Sequence, residues 1–311
     1  MTLQQLEYVV ALAEYGKFSE AAYHCHVTQP TLSMQLKKLE DELELVLFDR
    51  QRQPIRPTPA GKAIIRQAKE ILRQVRQLED WVQSHKNKLE GDLRLGIIPT
   101  LAPYLVPYFL GEFVRTFPRV HLHIREARTE EITLALHRQE LDLGLLVTPI
   151  ADEHLRTQIL FYEKFMAYLH PEESKQHGNR IALQELLQQQ LWVLSEGNCF
   201  RDQAINLCAV SQLDFRHFRF TYESGSLESL MRLVDREGGL TLLPELAVLQ
   251  LPDERLDQVK FIGDTSPVRE VSLLYHERFA KFALLEALSE QIIGTLPEQV
   301  RQNSSQYTVP I

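Results

Sequence analysis

Apolar residues near the start of the chain recur at the spacing of three short helices. Residues 3–14 carry their apolar side chains on one helical face, and Gly16 marks the end of this first helix. Ser19 is the predicted cap of a second, shorter helix. A third helix follows a break at residues 28–30, with Thr28 as its cap. Its inward-facing residues are Leu32, Leu36, Leu39 and Leu43. Two short helices, a tight turn and a polar-faced third helix are typical of a helix-turn-helix.

The polar face of the third helix and the segment after it predict contacts with double-stranded DNA. The segment LFDRQRQPIRPTPAG at residues 47–61 has the character of a hairpin, which we interpret as a wing. The third-helix residues expected to reach base edges and phosphates are Gln29, Pro30, Thr31, Ser33, Gln35 and Lys38. The wing arginines expected to contact the DNA backbone or the minor groove are Arg50, Arg52 and Arg56. A solvated surface is the alternative for these arginines.

A heptad pattern follows, which predicts one long helix over residues 59–89. The spacing of its apolar residues, alternately four and three, suits pairing with a second copy of the chain. The seam consists of Ile64, Ala68, Ile71, Val75, Leu78 and Val82. A helix of 30 residues is about 45 Å long, which favours an exposed connector that needs a partner. Packing of the stripe on its own domain is the alternative.

From residue 90 onward, strands alternate with helices, which predicts an α/β region with a largely parallel sheet. The unit LRLGIIP, VHLHIREA and LDLGLLV has a counterpart in LWVLSEG, FRFTYES and LTLLP. A late strand, VREVSLLYH, precedes a helix at about 278–294, and the polar tail from Pro297 is expected to be loosely ordered. We therefore expect two α/β lobes with a ligand or switch site between them. The predicted domains are 1–58 (winged helix-turn-helix), 59–89 (linker helix), 90–163 with 267–311 (lobe I), and 164–266 (lobe II).

Charge changes the picture because it is divided unevenly along the chain. The whole chain of 311 residues has a net charge of −8, which argues against a nucleic-acid partner. Residues 1–90, however, hold 13 Lys and Arg against 12 Asp and Glu, whereas the rest holds 21 against 30. The first part is thus suited to DNA. The sequence shows neither a long apolar run nor an export signal, so we expect a cytoplasmic protein without a membrane partner.

Two of the three cysteines lie nine positions apart in GNCFRDQAINLC, residues 197–208. An odd number of thiols in a reducing compartment does not indicate a disulfide framework. Cys199 follows a strand and opens a predicted helix, whose dipole favours a thiolate with a depressed pKa. Asn198 is the predicted cap, and Arg201 adds positive charge. Buried thiols without chemistry are the alternative.

The segment FSEAAYHCHVTQPTLSMQLKKLEDELELVLFDR, with PTPAG and the two lobes, resembles the LysR-type transcriptional regulators over essentially the whole chain. Within that family, GNCFRDQAINLC and ESGSLESLMRLVDREGGLTLLPELAV look like the OxyR type of hydrogen-peroxide sensor. The resemblance implies a homotetramer with winged helix-turn-helix domains paired through linker helices, and lobes built like periplasmic binding proteins. It also implies control of oxidative-stress genes, with promoter DNA and RNA polymerase as partners, hydrogen peroxide as signal and cellular thiols as reductants.

The resemblance implies that peroxide oxidises Cys199 to sulfenic acid and that Cys208 condenses with it to a disulfide. Nine residues of continuous helix rise about 13.5 Å, whereas a disulfide needs Cα atoms within roughly 7 Å. Oxidation is therefore expected to unwind or refold this segment. The resemblance also assigns a peroxide-orienting or thiolate-tuning role to Thr100, Thr129, Gln203 and Arg269; ordinary capping or surface roles are the alternative for the threonines and Gln203. The chain departs from the family's pattern at Met34, where many relatives have Arg, and at Asn198, where His is frequent.

The same residues leave other functions open. Cys25 lies between His24 and His26, but neighbours on a helix point in different directions, so we expect core packing and no metal site. A LysR relative that binds a small inducer between its lobes is one alternative, with incidental cysteines. A thiol peroxidase or disulfide oxidoreductase is another. The enzyme hypothesis leaves the helix-turn-helix unexplained and finds neither a CxxC pair nor a nucleophile triad, so we expect a regulator without a cofactor.

Overall fold

The computed structural model describes residues 1–50, 54–84, 89–186, 189–207, 224–264, 266–304 and 308–309. The chain divides into two compact units, Met1–Lys86 and Asn87–Ile311. Within the described ranges, no helix combines the length and the apolar character that crossing a membrane requires. The strand predicted at 218–224 lies outside the described residues except for its last position.

The first unit is a winged helix-turn-helix followed by a long helix, as the sequence predicts. Helices α1 and α2 precede α3, two short strands form an antiparallel hairpin, and α4 follows. Leu12 of α1 and three leucines of α3, Leu32, Leu36 and Leu39, are fully buried in one core with Phe48 of the hairpin. The bounds are α1 (Leu3–Tyr15), α2 (Phe18–His24), α3 (Gln29–Leu43), β1 (Phe48–Asp49), β2 (Arg56–Pro57) and α4 (Pro59–Ser84).

Local signals fix the ends of these helices. Thr2 caps α1 by accepting from the Gln5 amide, and the backbone of Gly16 ends it with φ of 66°. Thr28 caps α3, as predicted. Ser19 is not a cap, because α2 begins one residue earlier and includes it. A Cβ atom at Gly61, in the first turn of α4, would lie 2.0 Å from the Leu47 carbonyl oxygen, which explains the glycine.

The apolar seam of α4 is buried only in its first part. Ala68 is buried, and Ile64 packs against the core of the first unit. Farther along the same seam, Leu78 is 63% exposed. The described part of the helix runs to Ser84, and Leu89, the predicted end, is not helical. Residues 85–88 and the side chain of Val82 lie outside the described part.

The second unit alternates strands and helices, and its sheet is mixed rather than largely parallel. Its strands are β3 (Gly91–Ile97), β4 (Val120–Glu126), β5 (Leu143–Thr148), β6 (Leu155–Leu169), β7 (Arg180–Ile181), β8 (Leu191–Trp192), β9 (Leu240–Pro244), β10 (Val259–Ile262) and β11 (Val268–His276). Its helices are α5 (Ala102–Thr116), α6 (Thr129–His137), α7 (Pro171–Ser174), α8 (Leu183–Leu186), α9 (Cys199–Leu207), α10 (Leu227–Glu237), α11 (Glu245–Val248), α12 (Asp253–Leu256), α13 (Phe282–Thr295) and α14 (Glu298–Arg301).

Strand β6 joins the two lobes of this unit. The sheet runs in the order β4-β3-β5-β11-β6-β10-β7; β9 also pairs with β6, and β8 pairs with β9. Residues 155–164 of β6 pair with β11, and residues 165–169 pair with β9 and β10. The pairs β3–β4 and β3–β5 are parallel, whereas β11 is antiparallel to both its neighbours. This two-lobed α/β arrangement is the predicted fold class.

The end of the chain is more ordered than the sequence suggests. Val300 of α14 is buried, and Val309 is only 2% exposed. The Val309 amide donates to the Val268 carbonyl at 2.9 Å, and Thr308 forms a parallel bridge with the same residue. The prediction of a loose tail from Pro297 is thus wrong for these positions, because two isolated valines provide apolar anchors within a polar stretch.

Candidate functional site

Cys199 is the first residue of α9 and lies beneath the surface of the second unit. The tight turn before it is formed by Gly197, whose φ of 82° suits glycine. The exposed fraction of Cys199 is 7%. The thiol is free, and it opens a helix as the sequence predicts.

Burial reverses the expected direction of the thiol's pKa. Desolvation raises the pKa of Cys199 because the charged form loses water, and this effect is the largest. The Thr129 hydroxyl and the positive charge of Arg269 oppose the rise, as does the Phe200 amide. The prediction of a depressed pKa is therefore wrong for this conformation, in which the helix dipole does not outweigh dehydration.

Asn198 and Arg201 flank the thiol but act differently from the prediction. The buried Asn198 amide donates to the Ser195 carbonyl at 2.9 Å, and its oxygen caps no amide of α9 among the described residues. Only its backbone carbonyl accepts from the first helical turn. Arg201 pairs with Glu196 at 3.5 Å. Asn198 thus fixes the turn before Cys199, and part of the Arg201 charge is neutralised locally.

Arg269 brings the cationic charge to the site from strand β11. Its side chain is 1% exposed and its Nη2 lies 2.7 Å from Oε2 of Glu163, which is fully buried. The same guanidinium donates to the hydroxyl and the carbonyl oxygen of Thr100, at 3.1 Å each. Its Cζ lies 5.1 Å from the centre of the Phe200 ring. This network ties β6 and β11 to the turn after β3 and to the first turn of α9.

A small cavity adjoins Cys199, and the hydroxyls of Thr100 and Thr129 line it. The space that the centre of a water-sized molecule can reach is about 10 Å³, roughly the volume for one such molecule. Thr100 accepts from Arg269, which leaves its own O–H free to donate. The buried Thr129 oxygen has no hydrogen-bond partner of good geometry among the described residues. The cavity therefore offers two hydroxyl groups and a thiol to a small polar molecule.

Gln203 connects α9 to the end of the chain. Its side chain is fully buried, and its Nε2 donates to the Val309 carbonyl at 2.8 Å. Its Oε1 is buried without a hydrogen-bond partner among the described residues. Gln203 is not a lining residue of the cavity, and its amide ties α9 to the end of the chain.

Two site residues escaped the sequence analysis. Glu163 holds Arg269, and its position opposite Arg269 follows only from the β6–β11 register. Arg128 lines the cavity, and a Cβ atom at Gly197 would lie 3.1 Å from its Nη1. The sequence could have indicated Arg128 only through its position directly before Thr129.

Two predicted residues, Cys208 and Arg52, lie outside the described part of the chain. Cys25 follows α2, is half-buried and packs against the core of the first unit. Its neighbour His24 stacks on Tyr15, with ring centres 3.9 Å apart. Burial raises the pKa of the Cys25 thiol. Cys25 is therefore placed for packing.

The candidate nucleic-acid interface is the outer face of α3. Gln29, Pro30 and Lys38 are exposed there. The half-buried residues of the predicted set are Thr31, Ser33 and Gln35. The Thr31 hydroxyl is bonded to that of Thr28 at 2.8 Å, and the Gln35 side-chain oxygen accepts from the Gln5 amide at 3.2 Å. The exposed three are thus the freest to meet DNA.

The two described wing arginines, Arg50 and Arg56, lie in different environments. Arg50 pairs with Glu40 at 2.6 Å, and its Cζ lies 5.5 Å from the centre of the Phe18 ring. Glu40 also accepts from the Leu47 amide at 2.8 Å, so it fixes the start of the hairpin as well as the arginine. Arg56 is exposed on β2. Arg50 is therefore pre-positioned, whereas Arg56 extends into solvent.

Comparisons with known proteins cover both units. The family described as LysR substrate binding domain matches residues 86–296, and the lysR-family bacterial regulatory helix-turn-helix protein matches residues 3–62. The hydrogen peroxide-inducible genes activator of Dickeya chrysanthemi is 36% identical over 279 residues, covering 88% of this chain and 89% of that protein.

Solved structures resemble the chain over nearly its whole length. Full-length OxyR C199D from Pseudomonas aeruginosa has a TM-score of 0.73 and 32% identity, covering 95% of this chain and 99% of that one. An H2O2-bound cysteine-to-serine mutant of Corynebacterium glutamicum OxyR has a TM-score of 0.61 and 25% identity, covering 94% of this chain and 92% of that one.

Proposed function

Because the chain belongs to the LysR family of bacterial transcription regulators, we propose that it is a DNA-binding regulator that hydrogen peroxide activates by oxidising Cys199. The observation that carries the proposal is the cavity that joins the thiol of Cys199 to two threonine hydroxyls. The names of its relatives agree with this signal: an H2O2-inducible genes activator and an H2O2-bound OxyR mutant are among them.

The proposed chemistry begins with attack of the Cys199 thiolate on one peroxide oxygen. The O–O bond breaks, the sulfur gains that oxygen as sulfenic acid, and the other oxygen leaves as hydroxide, which takes up a proton to become water. In this proposal the O–H of Thr100 donates to a peroxide oxygen, the hydroxyl of Thr129 lowers the thiol's pKa, and Arg269 supports the thiolate electrostatically. Because burial raises the thiol's pKa, the rate rests on confinement of peroxide rather than on an abundant thiolate.

The second step condenses the sulfenic acid with the thiol of Cys208, which forms a disulfide and releases water. An intact helix α9 prevents formation of this disulfide. Its nine residues rise about 12 Å from Cys199 to Leu207, and residue 208 lies one Cα–Cα step of 3.8 Å beyond. The Cα atoms thus stay more than about 8 Å apart, beyond the roughly 7 Å that a disulfide allows. Unwinding of α9 is therefore the proposed switch.

The proposed partners follow from this switch. Promoter DNA binds the exposed face of α3 and the wing, and a second chain covers the exposed seam at Leu78, with two such pairs forming a tetramer. RNA polymerase receives the signal, and cytoplasmic thiols reduce the disulfide and reset the sensor. One oxidation for each activation event suffices, so the protein acts without enzymatic turnover.

Peptide mass spectrometry and DNA footprinting on the full-length protein test the proposal together. Stoichiometric hydrogen peroxide is expected to link Cys199 to Cys208 and to change the footprint. Cys208→Ser is expected to stop at Cys199 sulfenic acid, and the matched control Cys25→Ser is expected to behave like the wild type. An unmodified Cys199, or a footprint that ignores oxidation, would overturn the proposal. A metabolite-dependent footprint would favour an inducer-binding regulator instead, and peroxide consumption without DNA binding would favour an enzyme.

A further inference from the structure

We propose that Asp92, His121 and His123 form a binding site for a divalent transition-metal ion such as Zn²⁺. Each offers one ligand atom, and the three atoms lie within 4.8 Å of one another. All three side chains are exposed, on the outer face of strands β3 and β4. The site is separate from the cavity at Cys199 and independent of peroxide sensing.

Strand geometry explains why these donors converge. Side chains alternate across a strand, so His121 and His123 stand on the same face of β4. The parallel register places Asp92 of β3 directly beside His121. The imidazole rings of the two histidines lie 6.4 Å apart at an angle of 26°. The backbone, rather than a flexible loop, therefore sets the spacing of the three ligands.

The distances are close to those of a bound ion. Tetrahedral coordination at about 2.0–2.1 Å places ligand atoms roughly 3.3 Å apart. Oδ1 of Asp92 already lies 3.6 Å from Nε2 of His123. The remaining closure, at most about 1.5 Å, needs only side-chain rotation, which exposure permits. Two imidazoles and a carboxylate are the donor set that Zn²⁺ and its neighbours accept, with the fourth position left for water or another ligand.

The surrounding charges leave Asp92 available. Arg94 follows on the same face of β3, but its guanidinium is held by Asp142 at 2.9 Å. Lys281 donates to the Asp92 backbone carbonyl at 2.8 Å and pairs with the same Asp142 at 3.3 Å. Asp142 therefore neutralises much of the positive charge of Arg94 and Lys281, which would otherwise repel a metal ion.

Calorimetric titration with Zn²⁺ tests the site on tag-free, reduced, full-length protein. The wild type is expected to bind one more equivalent than His121→Ala/His123→Ala. Asp92→Asn is expected to weaken that equivalent by at least about tenfold. His154→Ala removes an exposed histidine elsewhere in the second unit, and Cys199→Ser removes a competing thiol ligand. Both controls are expected to retain the site.

Two results would overturn the proposal. One is an equal number of Zn²⁺ equivalents in the wild type and in the double histidine variant. The other is loss of the additional equivalent in Cys199→Ser, which would assign it to thiols. Peroxide oxidation of Cys199 is measured by mass spectrometry in the absence of metal. A negative Zn²⁺ titration therefore leaves the proposed function intact, and an unoxidised Cys199 leaves the proposed metal site intact.

Discussion

Arg269 donates to both the hydroxyl and the carbonyl oxygen of Thr100, at 3.1 Å each. Since Arg269 is also paired with the fully buried Glu163, the turn that carries Thr100 is fixed to the centre of the sheet. The cavity at Cys199 thus depends on a buried ion pair. A buried charge that loses its partner is strongly destabilising, whereas the complete pair contributes little net stability.

Arg269→Met is therefore expected to lower the free energy of unfolding of the second unit by about 3–5 kcal/mol, because it leaves the Glu163 carboxylate buried and unpaired. Urea denaturation measures the change. Arg269→Met/Glu163→Gln is expected to recover part of the loss. The control Arg236→Met removes an arginine that is 86% exposed and is expected to stay within about 0.5 kcal/mol of the wild type. A single variant as stable as this control would contradict the role of the pair.

The pKa of Cys199 predicts how its reactivity depends on pH. Burial raises this pKa, so the reactive thiolate is the minor form at neutral pH, and its fraction increases as the pH rises toward the pKa. The oxidation rate at low peroxide is expected to increase about tenfold per pH unit below that pKa. Stopped-flow oxidation followed by thiol trapping measures the profile.

Thr129 provides the matched variant for this profile. Its hydroxyl lowers the thiol's pKa, so Thr129→Val is expected to move the profile to higher pH and to slow oxidation at pH 7. Thr133→Val, on the exposed side of the same helix, should change neither. A rate in the wild type that is flat from pH 6 to 8 would show that the thiolate is already formed at neutral pH.

The sequence predicts the position of Cys199 correctly but not the direction in which its pKa is shifted. Local patterns are enough to place Cys199 at a helix start and Thr28 at a cap, because neighbouring residues decide both. The partnership of Glu163 with Arg269 depends on a register between distant strands. The raised pKa of Cys199 depends on what packs over it. Charge and dipole can be inferred from the sequence, whereas desolvation requires the fold.

The chain's end shows the same limit. Composition predicts a loosely ordered tail from Pro297, yet Val309 contributes a backbone pairing with Val268 and a carbonyl to Gln203. The amide, the carbonyl and the side chain of Val309 produce no sequence pattern that would distinguish this anchor within a polar segment. Their effect arises only because α9 and β11 present matching groups at this place.

This attachment predicts that the end of the chain stabilises α9. A truncation after Ser304 removes Val309 and leaves the buried Gln203 amide without its acceptor, which costs about 1–3 kcal/mol locally. Amide hydrogen exchange of residues 199–207 is expected to become at least about fivefold faster. A truncation after Val309 keeps the contact and is the matched control. Equal exchange in the two truncated proteins would show that the tail does not restrain α9.

Gln29 and Arg50 are expected to contribute differently to DNA binding. Gln29 is exposed at the start of α3, so Gln29→Ala is expected to relax sequence preference and to cost about 1–3 kcal/mol on selected sites alone. Arg50→Ala is expected to weaken binding to all sequences, both by removing a phosphate contact and by freeing the Glu40 carboxylate, and to lower the salt slope by about 0.9.

Selection from a randomised DNA pool, followed by titration at several salt concentrations, separates the two effects. Arg236→Ala in the second unit removes the same charge without altering α3 or the wing, and it controls for net charge. If Gln29→Ala and Arg50→Ala lost sequence preference equally, the assignment of base reading to α3 and of backbone contact to the wing would be wrong. If neither variant changed binding, the exposed face of α3 would not be the DNA-binding surface.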